Sequence, residues 1–86
     1  MKAATWEYRT ISITYDRRKQ KDWVAEYPER PPLVGFKTIL EAYGSGGWEL
    51  MSLNIERSWA AAGFGGWHIE PESYRATFRR PVEDPA

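Results

Sequence analysis

One segment of the chain has the apolar spacing of a helix, and it limits the folds that are open to the protein. In residues 33–43, LVGFKTILEAY, apolar side chains recur at intervals of three and four, which is the period of an α-helix. Pro31 and Pro32 precede this segment and suit the start of a helix. Gly35 weakens its helix propensity by about 1 kcal/mol. Because only one helix is predicted, strands have to complete the hydrophobic core.

Three other segments are rich in β-branched and aromatic residues, which is typical of β-strands. These segments are residues 6–15, 48–59 and 73–80. The charged segment 16–32 ends in prolines and the segment 60–72 is rich in glycine, so both are predicted to be long loops. Residues 82–86 are predicted to be a frayed tail.

The order strand, helix, strand, strand predicts one small α+β domain over residues 1–86. The helix is expected to return the chain as a right-handed crossover, so that the strands on either side of it run parallel. The last two strands are expected to form an antiparallel hairpin. The predicted sheet has three strands in the order 1-3-2 with the helix on one face, a half-ferredoxin-like fold. Its core is expected to come from residues of about 5–15, 33–59 and 73–81.

The apolar residues of the first two strands change phase along each strand, which happens at a bulge or where both faces are buried. The two out-of-phase sets are Trp6, Tyr8, Trp48 and Leu50 on the one hand and Ile11, Ile13, Leu53 and Ile55 on the other. Since one helix covers only one face of the sheet, the first set predicts a second apolar patch on the open face. Such patches tend to mark interfaces.

The composition also favours self-association. The 86 residues include no cysteine and one histidine, which excludes disulfides and thiolate metal sites, and small domains without such links often rely on association. Five Trp, five Tyr and three Phe are more aromatic surface than so small a fold is expected to hide. Twelve acidic and twelve basic residues cancel, so no strong field attracts nucleic acid. We predict a homo-oligomer, a dimer or higher, without a cofactor.

Membrane insertion is not predicted. No stretch of the sequence approaches the ~20 apolar residues of a membrane span, and the first residues lack the apolar run of a signal peptide. A cytoplasmic location without a membrane partner is expected.

The glycine-rich turn GSGG at residues 44–47 resembles a phosphate-binding loop in composition only. Phosphate loops precede a helix, where free N–H groups and the positive end of the helix dipole face the anion. Here the glycines follow the helix, whose carbonyls and negative dipole end disfavour anions. Gly44 is therefore predicted to be a left-handed C-cap, and Gly46 and Gly47 to complete the turn.

Several short motifs resemble the bacterial domain-of-unknown-function family 4177. These motifs are Trp6-Glu7-Tyr8, Gly44 after the helix, Gly47-Trp48-Glu49-Leu50 and Phe78-Arg79-Arg80-Pro81. The resemblance implies a small strand-helix-strand-strand fold, and it brings no catalytic residues. Residues 16–32 and 58–72 depart from the compact pattern of the family. A function peculiar to this protein is expected in those two segments.

No residue pattern predicts an enzyme. Glu7 and Glu49, each between apolar neighbours, are open to two interpretations: a carboxylate pair with one raised pKa, or ion pairs across the sheet with Arg9, Arg75 or Arg79. Ion pairs of this kind are the commoner arrangement. With one histidine and no cysteine, a nucleophile would have almost no candidate base.

The stretch that starts at Trp59 is the most suggestive of a function. Trp59, Phe64 and Trp67 could pack over the sheet as a flap, insert into a neighbouring copy, or form a cage for a planar or cationic ligand.

His68 and the nearby glutamates lack the spacing of a metal site. The basic run at residues 17–21 is flanked by acidic residues, which weakens its case for contacting nucleic-acid phosphates.

We therefore predict a non-enzymatic, self-associating interaction module that uses the open face of the sheet and the aromatic stretch. A small-ligand-binding module is the alternative, and weak nucleic-acid binding through residues 17–21 is the third hypothesis. The candidate interface or ligand residues are Trp6, Tyr8, Trp48, Leu50, Trp59, Phe64 and Trp67.

Overall fold

A computed structural model describes residues 5–63 and 66–82, which form one small domain of mostly strands with one helix. In chain order the elements are β1 (Trp6–Asp16), β2 (Asp22–Tyr27), β3 (Arg30–Val34), α1 (Phe36–Ser45), β4 (Glu49–Gly63) and β5 (Gly66–Pro81). The strands form one sheet in the order β3-β2-β1-β5-β4, and every neighbouring pair is antiparallel. The predicted three-stranded, half-ferredoxin-like sheet is therefore wrong, because the sheet has five strands.

The two additional strands come from residues 16–32, which the sequence analysis assigned to a loop. Residues 17–20, three of which are basic, form a tight turn. The N–H groups of Arg18, Lys19 and Gln20 donate to the carboxylate of Asp16 at 3.0, 3.2 and 3.3 Å. These bonds hold the pKa of Asp16 below its ordinary value. The charges that suggested a loop thus belong to a hairpin turn between β1 and β2.

The prolines that argued against a central strand lie in an edge strand. Pro31 and Pro32 belong to β3, which pairs with β2 on one side only. An edge strand tolerates a residue without an N–H group, because one side of its backbone has no partner in the sheet. The predicted helix start was also early, since Leu33 and Val34 end β3 and α1 begins at Phe36.

Residues 60–72, the second predicted loop, are instead part of β4 and β5. The two strands pair from Glu49–Arg79 to Gly63–Gly66, whereas β1 accompanies β5 only as far as Ser73. Residues 58–63 and 66–71 are therefore a two-stranded ribbon beyond the sheet, which we call the arm. The radius of gyration, 16.6 Å, exceeds the about 12 Å of a compact domain of this length, as a projecting ribbon requires.

The hydrophobic core lies between α1 and the middle strands. Ile39 and Tyr43 of the helix pack against Ile13 and Phe78 of the sheet, and all four are buried. The rings of Tyr43 and Phe78 are stacked with centroids 4.3 Å apart and an angle of 10°. The hydroxyl of Tyr43 also lies 2.7 Å from that of Tyr27. Burial, together with this hydrogen bond, raises the pKa of Tyr27 to about 12.

The end of α1 is a Schellman motif, with its left-handed residue at Gly47 and not at the predicted Gly44. The N–H of Trp48 donates to the carbonyl of Tyr43, and the N–H of Gly47 donates to that of Gly44, both at 3.0 Å. Gly47 has a φ of +85°, whereas Gly44 is helical. The turn ends the helix and delivers Trp48 to the start of β4.

The two glycines allow a matched test of this helix end. Gly47→Ala should lower the free energy of unfolding by about 1 kcal/mol, because a side chain disfavours a positive φ. Gly44→Ala should raise it by up to about 1 kcal/mol, because alanine is the better helix former and its Cβ would meet no atom within 4 Å. Urea denaturation followed by circular dichroism measures both, and the reverse order of stabilities would place the left-handed residue at Gly44.

Candidate functional site

The open face of the sheet is largely polar, so the second apolar patch that the sequence predicted is not formed there. Residues directly opposite each other in antiparallel strands share a face. On the open face Thr10 lies opposite Thr77, and Ser12 lies opposite Arg75. The guanidinium of Arg79 lies on the same face.

Of the four residues predicted to form that patch, the structure brings only two to the open face. Trp6 and Tyr8 lie there, opposite Pro81 and Arg79. Leu50 lies opposite the buried Phe78, which is on the face that α1 covers. Trp48 packs against the core on the α1 side as well.

A bulge explains the apparent phase change in β4. The register shifts between Leu50 and Ser52, so that Leu50, Leu53 and Ile55 lie opposite Phe78, Ala76 and Tyr74. Because these three partners alternate regularly along β5, their opposite numbers in β4 all point to the α1 side. Because of the bulge, these apolar side chains of β4 lie on one face of the sheet, although they are out of phase in the sequence.

Three of these side chains form an exposed apolar row. Leu50, Leu53 and Ile55 are 38%, 41% and 57% exposed, and we call them the β4 row. The row is uncovered because β4 is the edge strand and α1 packs over the middle of the sheet. Leu40 of α1, on the helix beside this side of the sheet, is 37% exposed. The apolar surface that sequence analysis placed on the open face therefore lies beside the helix.

At the base of the arm, Glu56 links three strands. It is the extra residue of a second irregularity in β4, between Ile55 and Arg57. Its carboxylate accepts bonds from Arg75 Nη2 at 2.6 Å and Nε at 2.9 Å, from Ser12 Oγ at 3.0 Å, and from Ser73 Oγ at 3.3 Å. These donors, Arg75 first, hold the pKa of Glu56 below its ordinary value.

Three of the predicted tryptophans each lie against an arginine. Arg79 lies 4.0 Å from the ring centre of Trp6, and Arg17 lies 3.9 Å from that of Trp59. Trp48 has two such neighbours, Arg80 at 4.4 Å and Arg9 at 4.9 Å. Cation–π contacts of this kind attract a guanidinium to the face of a ring.

The remaining predicted residues differ in their surroundings. Tyr8 is 63% exposed on the open face. Phe64 lies outside the part of the chain that the structure describes, and so does the side chain of Trp67. Of the predicted residues in the aromatic stretch, only the side chain of Trp59 is therefore described. It lines one pocket with Tyr15 and Trp23, which sequence analysis did not include among the candidate ligand residues. The sequence signal that could have placed Trp23 on a strand is the alternation of Trp23, Ala25 and Tyr27, which is typical of a half-buried strand.

The two glutamates that sequence analysis considered together lie on opposite faces. Glu49 pairs with Arg79, with 3.3 Å between Oε2 and Nε, on the open face. Glu7 pairs with Arg80 on the α1 side. The ion-pair interpretation is confirmed for Glu49 with Arg79. Glu7 also forms an ion pair, but with Arg80, which was not among the predicted partners. Two carboxylates so placed cannot share a proton.

No family model, no curated protein and no solved structure matches this chain. The resemblance to family 4177 therefore stays a prediction. Over residues 5–63 and 66–82, α1 is the one helix, and its ten residues are too few to cross a membrane. Within the same residues no three acidic or histidine side chains converge as metal ligands would.

The Glu56 cluster predicts an acid-sensitive contribution to stability. A carboxyl whose pKa is lowered by folding stabilises the protein above its unfolded pKa, and this stabilisation is lost as the pH falls through the folded value. Glu56→Gln should therefore lower the urea midpoint at pH 7 and change it less near pH 3, because the stabilisation by the charged carboxylate falls as the pH drops toward its lowered pKa.

Glu41→Gln is the matched control, because Glu41 forms only an exposed helical ion pair with Lys37 at 3.9 Å. It should change the midpoint little at either pH. An equal loss for Glu56→Gln at both pH values would mean that the charge of the carboxylate does not stabilise the arm.

Proposed function

We propose that this protein is a self-associating interaction module in which two copies pair through strand β4. The observation that carries the proposal is the exposed apolar row on an edge strand. Edge strands present unpaired N–H and C=O groups and can pair with another chain. Exposed apolar side chains along such an edge add hydrophobic burial to this backbone pairing.

The two edge strands of the sheet, β3 and β4, differ in how readily they can pair with a strand of another chain. The β3 edge has five residues and carries Pro31 and Pro32, which remove donors and discourage pairing. The β4 edge has 15 residues and contains no proline. Over residues 50–55 it also carries no charged side chain. A partner strand is therefore expected at β4 and not at β3.

A second copy of the chain fits this edge. Antiparallel pairing of β4 with its counterpart is a two-fold arrangement, so the same surface serves both subunits. The β4 rows of the two copies would then lie on the same face of one continuous sheet. The chain has a formal net charge of zero, so identical subunits approach without strong repulsion.

The arm supports the same arrangement. An isolated two-stranded hairpin is only marginally stable in water, and further strands usually support it. Among residues 5–63 and 66–82, no third strand pairs with the arm. Because β4 runs on into the arm, a partner strand along β4 would extend beside it.

Charged substitutions in the β4 row test the proposal. Light scattering after size exclusion should give the wild-type protein a mass twice the chain mass of 10.0 kDa. Leu53→Lys and Ile55→Lys should each weaken the dimer about 100-fold, because an unpaired charge would be buried at the interface. Both side chains are exposed in the single subunit, so the fold should tolerate the change.

Tyr8→Lys is the control on the open face and should leave the dimer intact. Thermal denaturation of each variant checks that the subunit is folded. A wild-type protein that stays monomeric up to about 100 µM, where micromolar interfaces are populated, would overturn the proposal. Dissociation by Tyr8→Lys alone would favour the open face instead.

A further inference from the structure

A pocket lies on the α1 side of the sheet, where the arm leaves it. Its volume is about 370 Å³. It is lined by Tyr15, Arg17, Trp23, Trp59, Glu70 and Pro71. This volume is at the lower end of the range for small-molecule sites, about 300–1,000 Å³.

Two walls of the pocket are held in place by aromatic packing. Tyr15 and Trp23 lie opposite each other in β1 and β2, with their rings edge to face at 5.3 Å. Trp23 also packs against Phe36 at 5.3 Å and Tyr74 at 5.1 Å. The hydroxyl of Tyr15 donates to the carbonyl of Lys21 at 3.0 Å. These contacts keep both rings in a fixed orientation.

Trp59 supplies the third aromatic wall and already has a cation on its face. It lies opposite Glu70 in the arm, and the Arg17 guanidinium is 3.9 Å from its ring centre. The indole Nε1 of Trp59 is buried and finds no acceptor within residues 5–63 and 66–82. In this orientation the ring gives up a hydrogen bond while it presents its π-face to a positive charge.

We propose that this pocket binds a small organic cation with a methylated ammonium group, and that Arg17 occupies the site of that cation in the free protein. Three aromatic residues line one cavity, and the ring face of Trp59 already holds a guanidinium. Aromatic rings attract a cation through their electron-rich faces. The acidic residue Glu70 also lines the cavity. Methyl groups suit apolar ring walls better than the strongly hydrated ammonium of lysine does.

Arg17 is well placed to leave. It is exposed and lies in the turn between β1 and β2, outside both strands. Its backbone need not move for the guanidinium to swing away from Trp59, because the bonds to Asp16 come from residues 18–20. The site is distinct from the β4 row, so the inference does not depend on self-association.

The experiment compares choline with 3,3-dimethylbutanol, which replaces the charged nitrogen by carbon in a nearly identical shape. Calorimetry and tryptophan fluorescence of the full chain should show saturable choline binding, and the neutral compound should bind at least about 10-fold more weakly. Trp59→Leu should abolish the choline response, and Trp59→Phe should retain part of it because a ring remains.

Arg17→Ala should bind choline several-fold more tightly, because the internal competitor is gone. Arg18→Ala is the matched control in the same turn and should leave the affinity unchanged, since Arg18 lies over none of the rings that the structure describes. Equal binding of both compounds, an unchanged affinity of Arg17→Ala, or no saturable response up to about 50 mM choline would overturn the proposal. Retention by phosphatidylcholine vesicles without a response to free choline would also contradict it.

Discussion

One short helix has to bury the apolar face of a sheet that is much longer than the helix. The ten residues of α1 span about 15 Å, whereas the 15 residues of β4 extend over about 50 Å. The stacked rings of Tyr43 and Phe78 place the helix over the middle of the sheet. The apolar side chains at the β4 edge are therefore left uncovered, and β4 and β5 continue as an arm that pairs with no third strand in the part of the chain that the structure describes. Both proposed sites follow from this mismatch in length.

Arginines cover much of the aromatic surface that the helix does not bury. Trp6, Trp48 and Trp59 each have a guanidinium within 5 Å of the ring centre. Arg79 and Arg80 also pair with Glu49 and Glu7, so ion pairs hold these guanidinium groups over their rings. Arg17 is exposed and lies in a turn outside both strands, which distinguishes the contact at Trp59 as the one most easily replaced by another cation.

Elements with a strong local sequence pattern were predicted correctly, and elements with a weak local pattern were missed. β1 begins and ends within one residue of its predicted bounds, because β-branched and aromatic residues fill it. β2 was missed because charged turn residues precede it and its buried residues, Val24 and Ala25, are few. The arm was missed because alanine and glycine have weak strand propensity, so cross-strand pairing decided its structure. Ion pairs of Glu7 and Glu49 with arginines were expected, but the arginine that each one contacts depended on strand register.

By itself, the sequence determined that there is one helix, that it ends at a glycine-rich turn, and that β-rich segments surround it, since these depend on contacts within a few residues. Only the tertiary structure decided the five-stranded order, the face on which each apolar residue lies, and the neighbours of Trp59. The bulge between Leu50 and Ser52 shows the physical reason. One extra residue turns every later side chain to the other face, and only pairing with β5 reveals where that residue is.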